Sequence, residues 1–288
     1  MCRLAIGRIS HNLVAKPDGV PNTMNKGNDS FLKLRDWVKN RISPGRRAAI
    51  RRRLLEPAGF LFRRNLPRLA TIYGTDKWGH HWYAAHYARH FQHLRRKKIT
   101  VFEIGVGGYE NPLEGGWSLR MWRRYFPKAQ IVGLDYYDKS PHAEKRIRIY
   151  RGDQSDEKLL RRIVAETGRP DIIIDDGSHQ NRHVIKSFEV LFPLLADDGI
   201  YAVEDTQSAY WPADGGSSDD LRNAPTSMRL LKDLVDGLNH EEFMKPGYRP
   251  SYSDQNITAV HFYHNLVFIQ KGRNQEGSNL VRDGRKIA

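Results

Sequence analysis

The sequence predicts an α/β protein: a mostly parallel β-sheet with helices on both faces, preceded by a short helical arm. Three observations lead there. From Thr100 onward, short β-branched runs alternate with segments of helical period. Several of these runs end in glycines or acids, as in a sheet that binds its ligand at the carboxyl ends of its strands. The last two runs are joined by the step His264–Asn265, tight enough for a hairpin, which places an antiparallel strand at one side of the sheet.

Residues 100–105, 130–135, 146–150, 171–175, 199–203, 257–263 and 265–270 read as strands, seven in all. Residues 118–125, 157–166 and 228–238 read as helices. Val184, Ile185, Phe188, Leu191, Phe192 and Leu195 line one face of another. No internal repeat is present.

A chain of 288 residues has room for one large α/β domain and an appendage. No apolar run approaches the roughly 18–20 residues needed to cross a bilayer, and the first residues hold no apolar segment of a secretory signal. The single cysteine, Cys2, excludes an internal disulfide framework and a thiolate zinc site, and fits the cytosol. The net charge of +14 is uneven: between Phe31 and Arg68 stand twelve Lys/Arg against two acids, Asp36 and Glu56.

The expected organisation is therefore a disordered segment 1–29, a basic helical arm 30–68, a catalytic domain 69–280 and a disordered tail 281–288. Met24 is a second candidate start. In the arm, Phe31, Leu34, Val38 and Ile42 recur at helical spacing, Pro44–Gly45 breaks the pattern, and a second basic segment runs from Arg46 to Leu55 and ends before Pro57. Such an arm fits packing on the domain or on a second subunit, contact with an anionic membrane surface, or nucleic acid.

The first strand ends in Glu103-Ile-Gly105-Val-Gly107-Gly108, where glycines let the backbone pass close to a nucleoside. The long excursion that follows, from Tyr109 to Trp117, argues against a pyrophosphate cradle. The second strand ends in Asp135, placed to accept from both ribose hydroxyls. After the third come Asp153 and Gln154, a polar pair within reach of an adenine edge. Each has a local reading as a cap or turn residue; three at successive strand ends read as adenosine recognition without phosphate.

Strands four and five end in paired acids, Asp175-Asp176 and Glu204-Asp205. If the two strands are neighbours, Asp176, Glu204 and Asp205 converge and repel unless a cation lies between them. All-oxygen ligation favours Mg²⁺ or Mn²⁺ over zinc. His179, three residues after Asp176, is a candidate base for a hydroxyl nucleophile.

Tyr73-Gly-Thr-Asp-Lys-Trp78-Gly, Glu103-Ile-Gly-Val-Gly-Gly, Gly116-Trp-Ser118-Leu-Arg-Met-Trp122, Gly133-Leu-Asp, Gly152-Asp-Gln, Asp175-Asp-Gly-Ser-His179 and Val203-Glu-Asp205-Thr-Gln-Ser-Ala-Tyr-Trp211 resemble the metal-dependent sugar O-methyltransferases of macrolide biosynthesis. The likeness covers roughly residues 72–279. It implies a Rossmann-like class I methyltransferase fold of seven strands, S-adenosylmethionine and Mg²⁺ as cofactors, and a sugar hydroxyl of a glycosylated lipid, glycan or natural product as acceptor. It also implies Asp176, Glu204 and Asp205 as metal ligands and His179 as the base. Glu103, Gly105, Gly107, Ser118, Asp135, Asp153 and Gln154 would line the cofactor, with Asp175 beside it, and Tyr73, Thr75 and Lys77 would close over its methionine end. Residues 207–224 resemble a mobile lid over the acceptor.

Three other readings compete. A nucleic-acid methyltransferase commonly carries an Asn/Asp-Pro-Pro-aromatic motif after strand four, where this chain reads Asp-Asp-Gly-Ser. A non-catalytic membrane- or partner-binding protein would not need the intact acids and His179. A hydroxylase would need a flavin, haem or two-His-one-carboxylate site, and none is evident.

Overall fold

The computed structural model describes residues 44–222 and 224–287. The segment 1–29 and the helix expected through Phe31, Leu34, Val38 and Ile42 lie outside these residues. The chain divides into two units after Arg47, and the second, Ala48–Ala288, carries all the side chains described below.

Helix α1 (Pro44–Leu61) continues through Pro57, where the sequence suggested a stop. Proline lacks the N–H that would reach back to the Arg53 carbonyl, so the helix gives up that rung and continues for another turn. Helix α2 (Leu66–Tyr73) is capped by Asn65, whose side chain accepts from the Arg68 N–H, and closes at Gly74 with φ +69°. Leu66, Leu69, Ala70 and Tyr73 are all buried. The boundary expected between arm and domain at residues 68 and 69 therefore falls inside a helix that belongs to the domain core. Helix α3 (Tyr83–Phe91) was not expected; it buries Tyr83, Ala84, Tyr87 and Phe91 on one face.

The strands fall within one residue of the expected bounds: β1 (Thr100–Ile104), β2 (Gln130–Asp135), β3 (Ile147–Arg151), β4 (Ile172–Asp175), β5 (Ile200–Glu204), β6 (Ile257–Tyr263) and β7 (Leu266–Lys271). Between them lie α4 (Trp117–Tyr125), α5 (Glu157–Thr167), α6 (Asn181–Leu194), α7 (Ser227–Leu238) and the short α8 (Tyr252–Asn256). The sheet order is β3-β2-β1-β4-β5-β7-β6, and β7 runs antiparallel to both neighbours. Asn265, at φ +60°, turns the hairpin. Where a structureless tail was expected, β8 (Val281–Arg282) and β9 (Arg285–Lys286) pair as a small antiparallel ribbon.

Side chains alternate across the sheet and divide the core in two. Val101, Ile131, Ile172, Ile174, Ile200 and Ala202 face α2, α3 and α4. Phe102, Ile104, Val132, Ile173, Tyr201 and Val203 face α5, α6 and α7. The buried Lys271 donates to the Phe192, Pro193 and Leu195 carbonyls, at 3.2, 3.0 and 2.8 Å, and so satisfies the end of α6.

His90, on α3, stacks on Phe268 with ring centroids 4.1 Å apart, and its Nε2 lies 3.1 Å from the Tyr263 hydroxyl. Burial, then the nearby His261, Arg89, His86 and His93, push its pKa from 6.5 down to about 4. The folded chain thus keeps His90 neutral where the unfolded chain would protonate it. Its contribution is present above pH 6.5 and is lost as pH falls from 6.5 toward 4. Thermal denaturation followed by circular dichroism should show a smaller loss over this window for His90→Phe than for the wild type; parallel acid limbs would contradict this.

Candidate active site

The sheet's alternation decides which acids meet. On β1, Val101 and Glu103 share the α2–α4 face; on β5, Ile200, Ala202 and Glu204 share the same face. Asp176 follows immediately after β4. Into this acidic corner the loop between α2 and α3 inserts Lys77, which is fully buried. Its Nζ lies 2.6 Å from Glu204 Oε1, 2.8 Å from Asp176 Oδ2 and 3.5 Å from Glu103 Oε1. Tyr87 on α3 donates its hydroxyl to the same Glu204 oxygen at 2.6 Å, and Ser118 on α4 donates to Glu103 Oε2 at 2.9 Å.

Burial acts to lower the pKa of Lys77, but Asp176, Glu204, Glu103 and Asp76 outweigh it and raise the ammonium well above its usual range. Glu204 is also raised, first by burial and then by Asp176, and Glu103 is raised to about 7, first by burial. In a balanced ion pair the acid would fall as the base rises. Here both rise, because three carboxylates face one ammonium. The corner is short of positive charge.

Asp205 turns away from this corner. It adopts φ +52°, as His179 adopts φ +56°, and both are non-glycine residues in the left-handed region. That turn brings ligand atoms of Asp176, His179 and Asp205 within 4.8 Å of one another, at the partly exposed mouth of the cleft. His179 Nε2 is 3.8 Å from Asp205 Oδ2, His81 Nε2 is 3.6 Å from Asp205 Oδ1, and Tyr83 donates to Oδ1 at 2.7 Å. The three acids expected to converge are thus shared between two overlapping groups. Glu103, Asp176 and Glu204 form the inner one, which holds Lys77, and Asp176, His179 and Asp205 the outer one. The carboxylates of Asp176 and Asp205, backed by uncompensated negative charge, fit a hard divalent cation such as Mg²⁺ or Mn²⁺, with the His179 imidazole beside them.

The side of the cleft where the sequence leads to the expectation of a nucleoside is built on two requirements. Gly105 stands at φ +96°, and a Cβ there would come within 2.0 Å of the Asp176 carbonyl oxygen, so no other residue fits. Asp135 accepts from the Val106 and Tyr137 N–H groups, both at 2.9 Å, which ties the glycine loop to the end of β2. Each carboxylate oxygen has a second lone pair for a ribose hydroxyl. Gly107, at φ +79°, continues the loop. Lys139 donates to the Asn111 and Glu114 carbonyls at 2.7 and 3.2 Å, and fixes the excursion between β1 and α4.

Other expected cofactor residues are turned elsewhere. Asp175 is one residue out of phase with Glu103 and Glu204 and faces the opposite core. There it accepts from Gln154 at 3.0 Å, Ser187 at 2.6 Å and Tyr201 at 3.3 Å, and burial lifts its pKa to about 6. Gln154 is buried, and its Oε1 accepts from the Ser178 N–H at 2.7 Å, so it braces the turn that carries His179. Asp153 accepts from the Ser155 N–H and hydroxyl, both at 2.7 Å, as a turn residue. Tyr73 lies in the core, its hydroxyl beside Gly59 and the Arg120, Arg123 and Glu144 charges, and does not face the cleft. Thr75 is buried against Met121.

The sequence passed over Tyr83, Tyr87, His81 and Asn181. Tyr83 and Tyr87, four residues apart on α3, each hold one member of the Glu204-Asp205 pair, and their spacing on one helical face was the available signal. Buried Asn181 donates to the Ser208 and Asp214 carbonyls at 3.3 and 2.9 Å and accepts from the Ser227 N–H at 2.7 Å. The first half of the segment expected as a mobile lid is therefore tied to α6.

No family model matches the chain. Among curated proteins it is similar to mycinamicin VI 2''-O-methyltransferase of Micromonospora griseorubida, 49% identical over 215 residues that cover 74% of this chain and 54% of that protein. It is also similar to 8-demethyl-8-alpha-L-rhamnosyl tetracenomycin-C 2'-O-methyltransferase of Streptomyces olivaceus, 45% identical over 223 residues that cover 76% of this chain and 58% of that protein. Among solved structures, the MycE methyltransferase of the mycinamycin pathway, in complex with Mg, SAH and mycinamycin VI, matches with TM-score 0.72 and 48% identity, over 76% of this chain and 57% of that one. The chain spans little more than half the length of these relatives. Sheet order and superposition together establish the class I methyltransferase fold.

Lys77→Met should leave two buried acids and the partly exposed Asp176 without their cation and lower the unfolding free energy in EDTA by about 3–5 kcal/mol. Mg²⁺ should recover part of this loss. Urea denaturation in both buffers measures it, and unchanged stability in EDTA would contradict the charge balance described here.

Proposed function

Over the 74–76% of its length that aligns, this chain belongs with the sugar O-methyltransferases of macrolide and tetracenomycin biosynthesis, and from that premise we propose that it transfers the methyl group of S-adenosylmethionine to a sugar hydroxyl, with Mg²⁺ or Mn²⁺ at the acid cluster. The observation that carries the reading is the outer group Asp176, His179 and Asp205, with ligand atoms within 4.8 Å of one another beside an inner group short of positive charge.

Asp176, Glu204 and Asp205 are the residues that would hold the cation. When bound, S-adenosylmethionine supplies an electrophilic methyl group and the cation lowers the pKa of the acceptor hydroxyl. His179 would accept the hydroxyl proton at Nε2 as the acceptor oxygen takes the methyl group and the methyl–sulfur bond breaks, with S-adenosylhomocysteine leaving as the neutral thioether. The Asp205 carboxylate, 3.8 Å away, stabilises the imidazolium that forms. Tyr83 holds Asp205 by its Oδ1, which leaves Oδ2 for this work. Asp135 receives the ribose hydroxyls, and Gly105 and Gly107 let the backbone lie against the nucleoside. Ser118 and Glu103 are taken to lie at the methionine end, where Lys77 fixes the acids. Gln154 and Asp175 act from behind as braces.

A glycosylated natural product is the acceptor class the relatives support. We read the enzyme as cytoplasmic. Phe60 and Leu61 are 57% and 72% exposed beside Arg63 and Arg64, which supports contact with an anionic membrane surface or a second subunit. Among the described residues, no helix is long and apolar enough to cross a membrane.

Calorimetry with S-adenosylhomocysteine tests the reading without an acceptor. The wild type should bind in the micromolar range, and Asp135→Ala, which removes both ribose contacts, should bind at least about tenfold more weakly. Folded wild-type protein that binds none, with Mg²⁺ or with EDTA, would overturn the assignment.

A further inference from the structure

Two groups of ligand atoms share Asp176: Asp176, His179 and Asp205 at the cleft mouth, and Glu103, Asp176 and Glu204 beneath it, each set lying within 4.8 Å. Acids so grouped, with one carboxylate common to both sets, resemble a two-metal centre, whose ions lie about 3.5–4 Å apart. The inner group differs from such a centre in one respect. It holds the ammonium of Lys77, 2.6 Å from Glu204 Oε1, 2.8 Å from Asp176 Oδ2 and 3.5 Å from Glu103 Oε1. Glu103 Oε1 is buried and has no hydrogen-bond donor, so the cation between the acids is the partner of that oxygen.

The fold keeps the ammonium in place. Lys77 is fully buried, and its carbonyl accepts from the Ala84 N–H at 3.0 Å, in the first turn of α3. On the same helix the Tyr87 hydroxyl donates to Glu204 Oε1 at 2.6 Å, and on α4 Ser118 donates to Glu103 Oε2 at 2.9 Å. Both donors are neutral, and each leaves its carboxylate free to meet a cation as well. The inner group thus offers carboxylate oxygens that suit a hard divalent ion, with a side chain of the chain itself where the ion would lie.

We propose that Lys77 stands in for a second divalent ion: it confines the protein to one ion, at the cleft mouth, and its removal opens the inner group of Glu103, Asp176 and Glu204 to another. The inference rests on the methyltransferase reading, in which the mouth takes the first ion, and adds the residue that sets the number of metals. Two divalent ions would carry one positive charge more than one ion and an ammonium, and that excess would repel the sulfonium of S-adenosylmethionine. An ammonium also needs no supply from solvent, so the inner acids have a partner before any metal arrives.

Calorimetric titration of Mn²⁺ in saturating S-adenosylhomocysteine, with electron paramagnetic resonance of the loaded protein, counts the ions in wild type, Lys77→Met and Lys77→Met/Glu103→Gln. The wild type should take one Mn²⁺, with the signal of an isolated ion. Lys77→Met should take two, with an exchange-coupled signal. The double variant, which lacks the charge of one inner ligand, should return to one. If Lys77→Met unfolds in EDTA, Mn²⁺ should refold it, with two ions retained through gel filtration. Two ions in the wild type, one in Lys77→Met, two in the double variant, or a Lys77→Met that Mn²⁺ does not refold would each overturn the role of Lys77 and leave the methyltransferase reading standing. A folded wild type that binds no Mn²⁺ overturns the cation of that reading as well.

Discussion

The buried carboxylates of Glu103 and Glu204 and the partly exposed carboxylate of Asp176 converge on the ammonium of Lys77, and the rest of the site is arranged around that imbalance. Each buried charge costs several kcal/mol of lost solvation, which only close partners offset. Lys77 provides one positive charge against Glu103, Asp176 and Glu204. The shortfall is met in part by neutral donors: the Tyr87 hydroxyl on Glu204 and the Ser118 hydroxyl on Glu103. What remains unmatched projects toward the cleft mouth, where Asp176 and Asp205 are partly exposed and a divalent cation from solvent can reach them.

The scaffold serves this arrangement on both faces of the sheet. On one, α3 sets Tyr83 and Tyr87 a single turn apart so that each grips one acid of a consecutive pair, although neighbouring residues on a strand point in opposite directions. The left-handed turn at Asp205 makes this possible. On the other face, Asp175 joins Gln154, Ser187 and Tyr201 in a buried network that fixes the turn leading to His179. The two adjacent aspartates at the end of β4 therefore stand in different places, one in the acid corner and one beneath it.

Strand positions were legible because buried parallel strands are nearly continuous β-branched runs, and the hairpin because its connection is so short. The acids at the ends of β4 and β5 were legible as a cluster for the same reason. Their division into two groups was not, since it depends on alternation along each strand and on two left-handed residues that composition does not reveal. Gln154 and Asp175 carried the right residue types at strand ends, but which face they serve depends on the helix packed there. Helix α3 was passed over because its inward face is tyrosine and alanine among histidines, and it lacks the aliphatic stripe that marks α6.

In the proposed function, a divalent cation from solvent completes the acid corner. The most direct test is calorimetric titration of Mn²⁺ into wild-type protein with S-adenosylhomocysteine present, beside Asp176→Asn and Asp205→Asn. One Mn²⁺ site per chain is expected, strongly weakened in both variants, with S-adenosylhomocysteine still bound. A folded wild type that binds no Mn²⁺, or binding that neither variant disturbs, would contradict it.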